Sequence, residues 1–294
     1  METLREILAP DFLLRNSLYT CLLVGAACPL VGVFLVLRRL AFLGVALPQI
    51  SATGVALALS LHVWFGPAHS HEHGANQVVA FIGAFTFSLL AVVALAYMER
   101  TRDGRTDGRL GTAYVVATAL SILLLAKCPQ AEQSWLSLFK GDIIAVTNGE
   151  FRRTFILLAL MLVVLGWHRR TFLLVSFDPD LANILKVSVN RWNMILFLLI
   201  GLTVGVAVLV VGPLISFGFM LIPPMIAQRF ADNMKQLAAG ASLVGLVAAF
   251  AGFYVAYVAD LPVGPASVGL LGGAYVLAFV VTALPKLARR ATAS

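Results

Sequence analysis

Long apolar runs alternate with short polar segments along almost the whole chain. Most of the runs approach the ~20 residues that an α-helix needs to cross the hydrocarbon core of a bilayer. They cover residues 12–36, 40–64, 78–98, 110–126, 154–167, 192–211, 214–226, 238–259 and 266–284. The short run at 214–226 follows Gly212 and Pro213, so it is either a separate span or half of a broken helix. The pattern predicts an all-α polytopic membrane protein with about eight or nine transmembrane helices.

The polar segments between the runs differ in charge. Basic residues gather in segments 38–39, 100–109, 169–191, 229–235 and 286–290, which share one side of the membrane if the spans simply alternate. The positive-inside rule makes that side, and with it the C-terminus, cytoplasmic. Segments 66–77, 127–153 and 260–265 then lie outside, where Arg152 and Arg153 are the basic exception. Part of segment 127–153 is interpreted as an interfacial helix.

Composition supports one membrane domain over residues 1–294. The chain is 60% hydrophobic and 12% charged, with a mean hydropathy of +0.94, whereas soluble domains are about a quarter charged. The net charge of +7 is assigned to helix ends, so the expected partner is the lipid bilayer and not nucleic acid. Residues 1–11 lack the pattern of a cleavable signal and are predicted to form an amphipathic lead-in helix. No P-loop, HExxH, GxGxxG or Ser/His/Asp arrangement is visible, so we expect a chain that is not an enzyme.

Residues 37–60 are the predicted transport pathway. Gln49, Ser51 and Thr53 lie in the middle of this apolar run, beside Pro48. Polar side chains at membrane depth are costly unless they line a cavity or pack inside a bundle. Gln49 and Thr53 share a helix face and can present oxygen atoms to a pore. The alternative is that these side chains make hydrogen bonds between helices.

A histidine-rich loop follows the second span. His69, His71 and His73 lie within five residues, together with Glu72. Imidazole and carboxylate groups bind zinc and similar divalent cations. One hypothesis is therefore cation capture outside the membrane, near the entrance of a pathway. The alternative is a hydrophilic loop of no fixed structure, because a histidine-rich tract does not by itself define a coordination geometry.

Residues 225–236 are predicted to form a short amphipathic helix on the cytoplasmic side. Met225, Ile226, Phe230 and Met234 fall on one face at helical spacing. Such a helix offers a docking surface through which an ATP-hydrolysing partner moves the flanking spans. The predicted coupling residues are Pro224, Met225, Gln228, Arg229, Phe230, Asp232 and Lys235. The alternative is an ordinary loop with a surface helix.

Five stretches, in order along the chain, resemble the permease subunits of bacterial ABC importers for zinc, manganese and iron. They are residues 32–44 (GVFLVLRRLAFLG), 138–146 (LFKGDIIAV), 176–182 (SFDPDLA), 221–227 (LIPPMIA) and 260–265 (DLPVGP). The resemblance implies a pore at the interface with a second permease chain, in a homodimer or a heterodimer. It also implies cytoplasmic ATP-binding subunits that contact residues 225–235 and a metal-binding solute-binding protein that docks outside. The chain itself would bind no cofactor, with ATP held by the partner subunit, and would lie in the bacterial inner membrane.

The sequence departs from this family at the expected metal site. In the family, the position of Val45 is typically an aspartate and that of Gln49 a histidine, preceded by a serine where Pro48 stands here. Valine cannot ligate a cation, and the amide oxygen of glutamine is a poor zinc ligand. The metal ligands that the family would supply are therefore not transferred to this chain.

The function predicted from the sequence is the permease subunit of an ATP-driven importer of zinc, manganese or iron. One alternative keeps the permease and changes the cargo to a metal chelate or a non-metal. Another is a membrane scaffold or sensor whose pathway has degenerated. An ATP-independent carrier is disfavoured, because no acidic residue is visible within the spans to bind a coupling ion.

Overall fold

The computed structural model describes residues 14–65, 73–99, 106–127 and 146–291. These residues form ten α-helices and no β-strand, which confirms the predicted all-α class. The helices are α1 (Arg15–Leu37), α2 (Ala41–Phe65), α3 (His73–Glu99), α4 (Thr106–Ala126), α5 (Asn148–Trp167), α6 (Arg169–Phe177), α7 (Pro179–Ile184), α8 (Val189–Ala227), α9 (Met234–Ala259) and α10 (Val263–Ala291). The lead-in at residues 1–11 and most of the interfacial segment, residues 128–145, lie outside the described residues.

Each predicted span overlaps one of these helices. Six described helices are long and apolar enough to cross a membrane, or seven if α5 and α6, which meet at a bend of 64°, count as one span. Helix α3 adds a shorter apolar stretch, Val78–Ala94. The predicted count of eight or nine is approximate, because two of the predicted spans share the 39-residue helix α8.

Helix α8 is broken where the sequence predicts a break. Gly212 has φ 83° and ψ 166°, outside the helical region. A glycine tolerates a positive φ, and the following Pro213 has no backbone N–H to continue the hydrogen-bond ladder. The first half of α8 contacts the end of α1 through Asn193. The second half ends there as well, because Ala227 packs in a cluster with Val33. The chain therefore crosses the bundle and returns within α8.

Close contacts show that α1 and α9 run in opposite directions. Gly25 of α1 lies against Gly245 and Ala249, whereas Val33, further along α1, packs with Leu237 near the start of α9. The small residues let the two backbones approach closely. Close packing of this kind holds helices together in a membrane, where the hydrophobic effect does not drive them to associate. The end of α1 and the start of α9 thus share one end of the bundle.

The remaining helices follow the same alternation. Helix α2 begins just after α1 ends, and its Phe42 lies near Gly111 at the start of α4. Helix α10 finishes beside the end of α8, because Arg229 donates a hydrogen bond to Thr282 at 3.1 Å. We call the end that contains these sites the basic end. Its basic residues whose side chains are described are Arg38, Arg39, Arg109, Arg169, Arg170, Lys186, Arg191, Arg229 and Lys235. The other end carries Arg15, Lys127, Arg152 and Arg153.

Three described helix ends have a non-glycine residue in the left-handed conformation: Arg39, Lys186 and Asp260. After α1, Leu40 N–H donates to Leu35 and Arg39 N–H to Val36, which is the Schellman pattern. After α7, Val187 N–H donates to Ala182 and Lys186 N–H to Asn183 in the same pattern. These hydrogen bonds satisfy the last carbonyls of the helices and hold the following turns tightly, at the cost of an unfavourable φ.

Replacing Asp260 with glycine is expected to stabilise the protein by about 1 kcal/mol, because glycine adopts a positive φ without steric cost. Asp260 has φ 51° after the last residue of α9. The free energy of unfolding in mixed micelles checks this. Ala251→Gly, inside α9, is the control and should destabilise by about 1 kcal/mol. A loss of stability in Asp260→Gly would show that the aspartate side chain outweighs its backbone strain.

Candidate functional site

The hydroxyls of Ser51 and Thr53 lie between helices. Ser51 is fully buried, and its Oγ donates to the carbonyl of Ala84 in α3 at 3.3 Å. Thr53 Oγ1 lies 2.9 Å from the carbonyls of both Gln49 and Ala117, the latter in α4. Ser121 Oγ in α4 is a further 2.9 Å neighbour of Thr53 Oγ1. These hydroxyls tie α2 to α3 and α4, as in the interhelical alternative, so their role in a pathway stays a prediction that this geometry does not favour.

Gln49 differs from the two hydroxyl residues. Its side chain is 8% exposed in the single chain. Within the described residues, its amide makes none of the interhelical hydrogen bonds that hold Ser51 and Thr53. Half-buried Val45 lies one turn earlier on the same helix. Gln49 is therefore the one of the three predicted pathway residues whose side chain makes no hydrogen bond to a neighbouring helix within the described residues, and its role in a pathway stays a prediction.

The described residues contain no group of three or more His, Cys, Asp or Glu side chains that could hold a metal ion. Two of the histidines predicted to capture a cation, His69 and His71, lie outside the described residues. His73 is the first residue of α3, and its side chain is also outside the description. The hypothesis of cation capture therefore stays a prediction.

The hydrogen bonds of Thr53 predict that substitutions at Thr53 and at Gln49 have different effects on stability and on transport. Thr53→Val is expected to lower the free energy of unfolding by about 1 kcal/mol, because it removes a hydrogen bond between helices inside the membrane. Cargo uptake per ATP should change less than twofold. Gln49→Ala is the comparison variant and should change uptake severalfold with little effect on stability. If Thr53→Val impairs uptake more than Gln49→Ala without lowering stability, Thr53 lines the pathway.

The predicted helix over residues 225–236 is wrong in its secondary structure. Helix α8 ends at Ala227, the chain turns over residues 228–230, and α9 begins at Met234. The reason is a cap. Asn233 accepts a hydrogen bond from the N–H of Gln236 at 2.9 Å, and the Gln236 side chain accepts one from the N–H of Asp232 at 2.9 Å. The Asn233 cap starts a new helix, and the Gln236 side chain ties the preceding residue to its first turn, so the amphipathic pattern is interrupted.

The predicted coupling residues do not form one exposed face. Exposed residues are Gln228, Phe230, Asp232 and Lys235; half-buried ones are Met225 and Arg229; and Pro224 is buried. Arg229 is held by α10, because Nη1 donates to Thr282 at 3.1 Å and the guanidinium lies 4.9 Å from the Phe279 ring. Its side chain therefore braces the turn against the last helix and is not presented to a partner.

A second exposed segment at the basic end was missed from the sequence. Helix α7 and its flanks present four apolar side chains: Phe177, Leu181, Ile184 and Leu185. We call these four residues the α7 surface. Ile184 is the most exposed of them, at 76%. The signal was available, since Leu181, Ile184 and Leu185 have the i, i+3, i+4 spacing of one helix face, but from the sequence residues 176–182 were recognised only as one of the stretches that carry the family resemblance.

The α7 surface is held rigidly. The Asp178 side chain accepts a hydrogen bond from the N–H of Leu181 at 2.9 Å and caps α7. Ala182 is fully buried on the inner side of α7. A short capped helix with a buried inner residue and apolar outer residues is typical of a docking site, because exposed apolar clusters favour binding partners.

This architecture has clear relatives. A sequence model described as the ABC 3 transport family matches residues 11–282. The chain belongs to the ABC 3 transport family. The manganese import system permease protein ScaB of Streptococcus gordonii is 26% identical over 277 residues, 94% of each chain. The manganese transport system membrane protein MntC of Listeria monocytogenes is 25% identical, covering 91% of this chain and 90% of that one.

A solved structure shares the fold. PsaBC from Streptococcus pneumoniae, in complex with a Fab, superposes with a TM-score of 0.78 at 24% identity, covering 95% of this chain and 94% of that one. The resemblance to ABC importer permeases stated from the sequence is confirmed by the family match. Membership of the ABC 3 transport family makes the chain a membrane-spanning transport subunit. It also implies ATP-binding subunits and a solute-binding protein as partners.

Proposed function

We propose that this permease carries a divalent metal ion, and manganese before zinc or iron. The observation that carries the proposal is the match to manganese import permeases over nine-tenths or more of both chains. The cargo would cross where two permease chains meet. Helix α2 contributes Gln49 to that path, since the hydroxyls of Ser51 and Thr53 are engaged within the chain.

A second candidate cargo, a metal chelate, has one specific observation in its favour. The described residues offer no cluster of metal-ligating side chains, and the chain has Val45 and Gln49 on the face where the family's acid and imidazole would lie. A chelated metal brings its own ligands and needs fewer from the protein. A second, different permease chain that supplies the acid and imidazole explains the same observation for a bare ion.

The orientation follows from the basic end. Its excess of arginine and lysine supports a position on the cytoplasmic side of the bacterial inner membrane. Helix α10 ends there, which supports a cytoplasmic C-terminus. The solute-binding protein would dock at the opposite end, where α2 ends and α3 begins and where the histidine-rich loop joins them. A metal gathered by His69, His71 and His73 would then be delivered to the entrance.

The ATP-binding subunits dock at the basic end on the α7 surface, with the exposed residues Phe230 and Lys235 at the same end of the bundle. The α7 surface is favoured as the main contact because it is apolar, capped and outward-facing. Residues 228–235 offer mostly polar side chains, and Arg229 among them is held by α10. Apolar anchors in the centre of an interface carry most of the binding energy.

Cellular metal content tests the proposed cargo. Depletion of the gene in medium low in metals should lower cellular manganese severalfold, and added manganese should restore it. Zinc and iron measured in the same cells show whether either is the true cargo. If uptake requires a chelator in the medium, the chelate is the cargo. If manganese, zinc and iron all stay unchanged, metal import is wrong.

A further inference from the structure

Arg38 joins three helices at the basic end. It follows the last residue of α1, and its side chain is half-buried. Its Nε donates to Ser176 Oγ of α6 at 2.9 Å, and its Nη2 donates to Asn193 Oδ1 of α8 at 2.8 Å. The guanidinium also lies 5.7 Å from the ring centre of Phe197, one turn along α8. Charge-assisted hydrogen bonds from a planar guanidinium fix geometry more strongly than neutral ones.

The contact between α1 and α6 has two layers. Phe34, one turn before Arg38, packs edge-on against Phe172, one turn before Ser176, with ring centres 6.2 Å apart. Ser176 donates its own proton to the carbonyl of Phe172 at 2.6 Å. Its oxygen lone pairs are therefore left to accept from Arg38. The apolar layer and the polar layer thus link the end of α1 to α6 at two levels.

Arg38 lies between the α7 surface and the start of α2. On one side, α6 leads within one residue into α7 and its exposed apolar residues. On the other side, the Schellman turn through Arg39 connects α1 to α2, closed by the hydrogen bond from Leu40 N–H to Leu35 at 2.9 Å. A tight turn transmits a displacement where a loose loop would absorb it. A push on α7 therefore reaches α2, which carries Gln49, by way of Arg38.

We propose that Arg38 is the positioning residue that couples the ATP-binding subunit to the transport path, by linking the α7 surface to α2. This inference rests on the proposed function. It names the side chain that transmits movement from the ATP-binding subunit at the α7 surface to α2. Charge alone does not do this, because Arg39 and Arg170 carry the same charge at the same end and are exposed. The geometry of two separate donors to α6 and α8 distinguishes Arg38 from them.

The test uses the whole transporter, with its ATP-binding subunits and solute-binding protein, in proteoliposomes supplied with Mn²⁺. Arg38→Gln is expected to lower Mn²⁺ uptake per ATP hydrolysed by about tenfold, with subunit assembly and ATP hydrolysis within twofold of wild type. Arg38→Lys keeps the charge but cannot donate from two separated nitrogens, so it should restore less than half of the coupling. Arg170→Gln, which removes an exposed charge from α6, should leave the coupling unchanged.

Ser176→Ala gives a test that does not depend on Arg38 variants folding well. It removes one acceptor and keeps the arginine, so uptake per ATP should fall by about threefold. Full coupling in both Arg38→Gln and Ser176→Ala, or full rescue by Arg38→Lys, would overturn the inference. A wild-type transporter that takes up no metal would contradict the proposed function instead, and the two failures are thereby distinguished.

Discussion

Replacing Ile184 with aspartate is expected to weaken binding of the ATP-binding subunit by at least about tenfold and to lower metal uptake accordingly. Ile184 is 76% exposed on the α7 surface, so the change leaves the permease fold intact. In the complex, the aspartate would be buried in an apolar contact without a partner, which costs more than loss of the isoleucine alone. Affinity of the subunit for the purified permease measures the effect directly.

Two variants make this result specific. Ser188→Asp adds the same charge four residues further on, at the exposed N-cap of α8, where aspartate is well tolerated. It should change affinity less than twofold. Phe230→Asp tests the turn after α8 and should have a smaller effect than Ile184→Asp. If Phe230→Asp abolishes binding while Ile184→Asp binds normally, residues 225–235 are the main coupling element after all.

Replacing Gly32 with alanine is expected to destabilise the permease by at least about 3 kcal/mol and to reduce the yield of folded protein sharply. A Cβ on Gly32 would overlap the backbone carbonyl oxygen of Met220 in α8. Backbone cannot move aside as the tip of a side chain can, so α1 and the second half of α8 would have to separate. The free energy of unfolding in mixed micelles gives the magnitude.

Gly166→Ala is the matched control for Gly32→Ala. Nothing lies within 4 Å of a Cβ built on Gly166 in α5, so the same change should be neutral or stabilising by about 0.5–1 kcal/mol. A Gly32→Ala protein as stable as wild type would show that α1 and α8 do not pack in backbone contact at Gly32 and Met220.

The helices and the break in α8 could be predicted because they depend on local chemistry. Apolar length sets each span, and the pair Gly212 and Pro213 cannot continue a helix, whatever surrounds it. The interruption after Ala227 was missed for a different reason. A helical spacing is kept by Met225, Ile226, Phe230 and Met234. The Asn233 side chain nevertheless accepts a hydrogen bond from Gln236 N–H and caps a new helix, and this local interaction overrides the spacing.

The site was less predictable, because its key features depend on which helices meet. The sequence does not show that the Thr53 hydroxyl reaches the Ala117 carbonyl of another helix. Polar residues that line a pore and polar residues that join two helices therefore look the same in the sequence. Arg38 and Arg39 look alike as basic residues at a span end. Only the packing of α6 and α8 shows that Arg38 donates to Ser176 and Asn193 while Arg39 is exposed.

This chain is proposed to form the path of a metal ion whose transport is driven by ATP hydrolysis on a partner subunit. Uptake of Mn²⁺ into proteoliposomes that contain the permease, its ATP-binding subunits and its solute-binding protein tests it most directly. We expect Mn²⁺ accumulation that requires hydrolysable ATP and falls when Ile184→Asp weakens subunit docking. ATP hydrolysis by the assembled complex with no accumulation of manganese, zinc or iron, free or chelated, would contradict it.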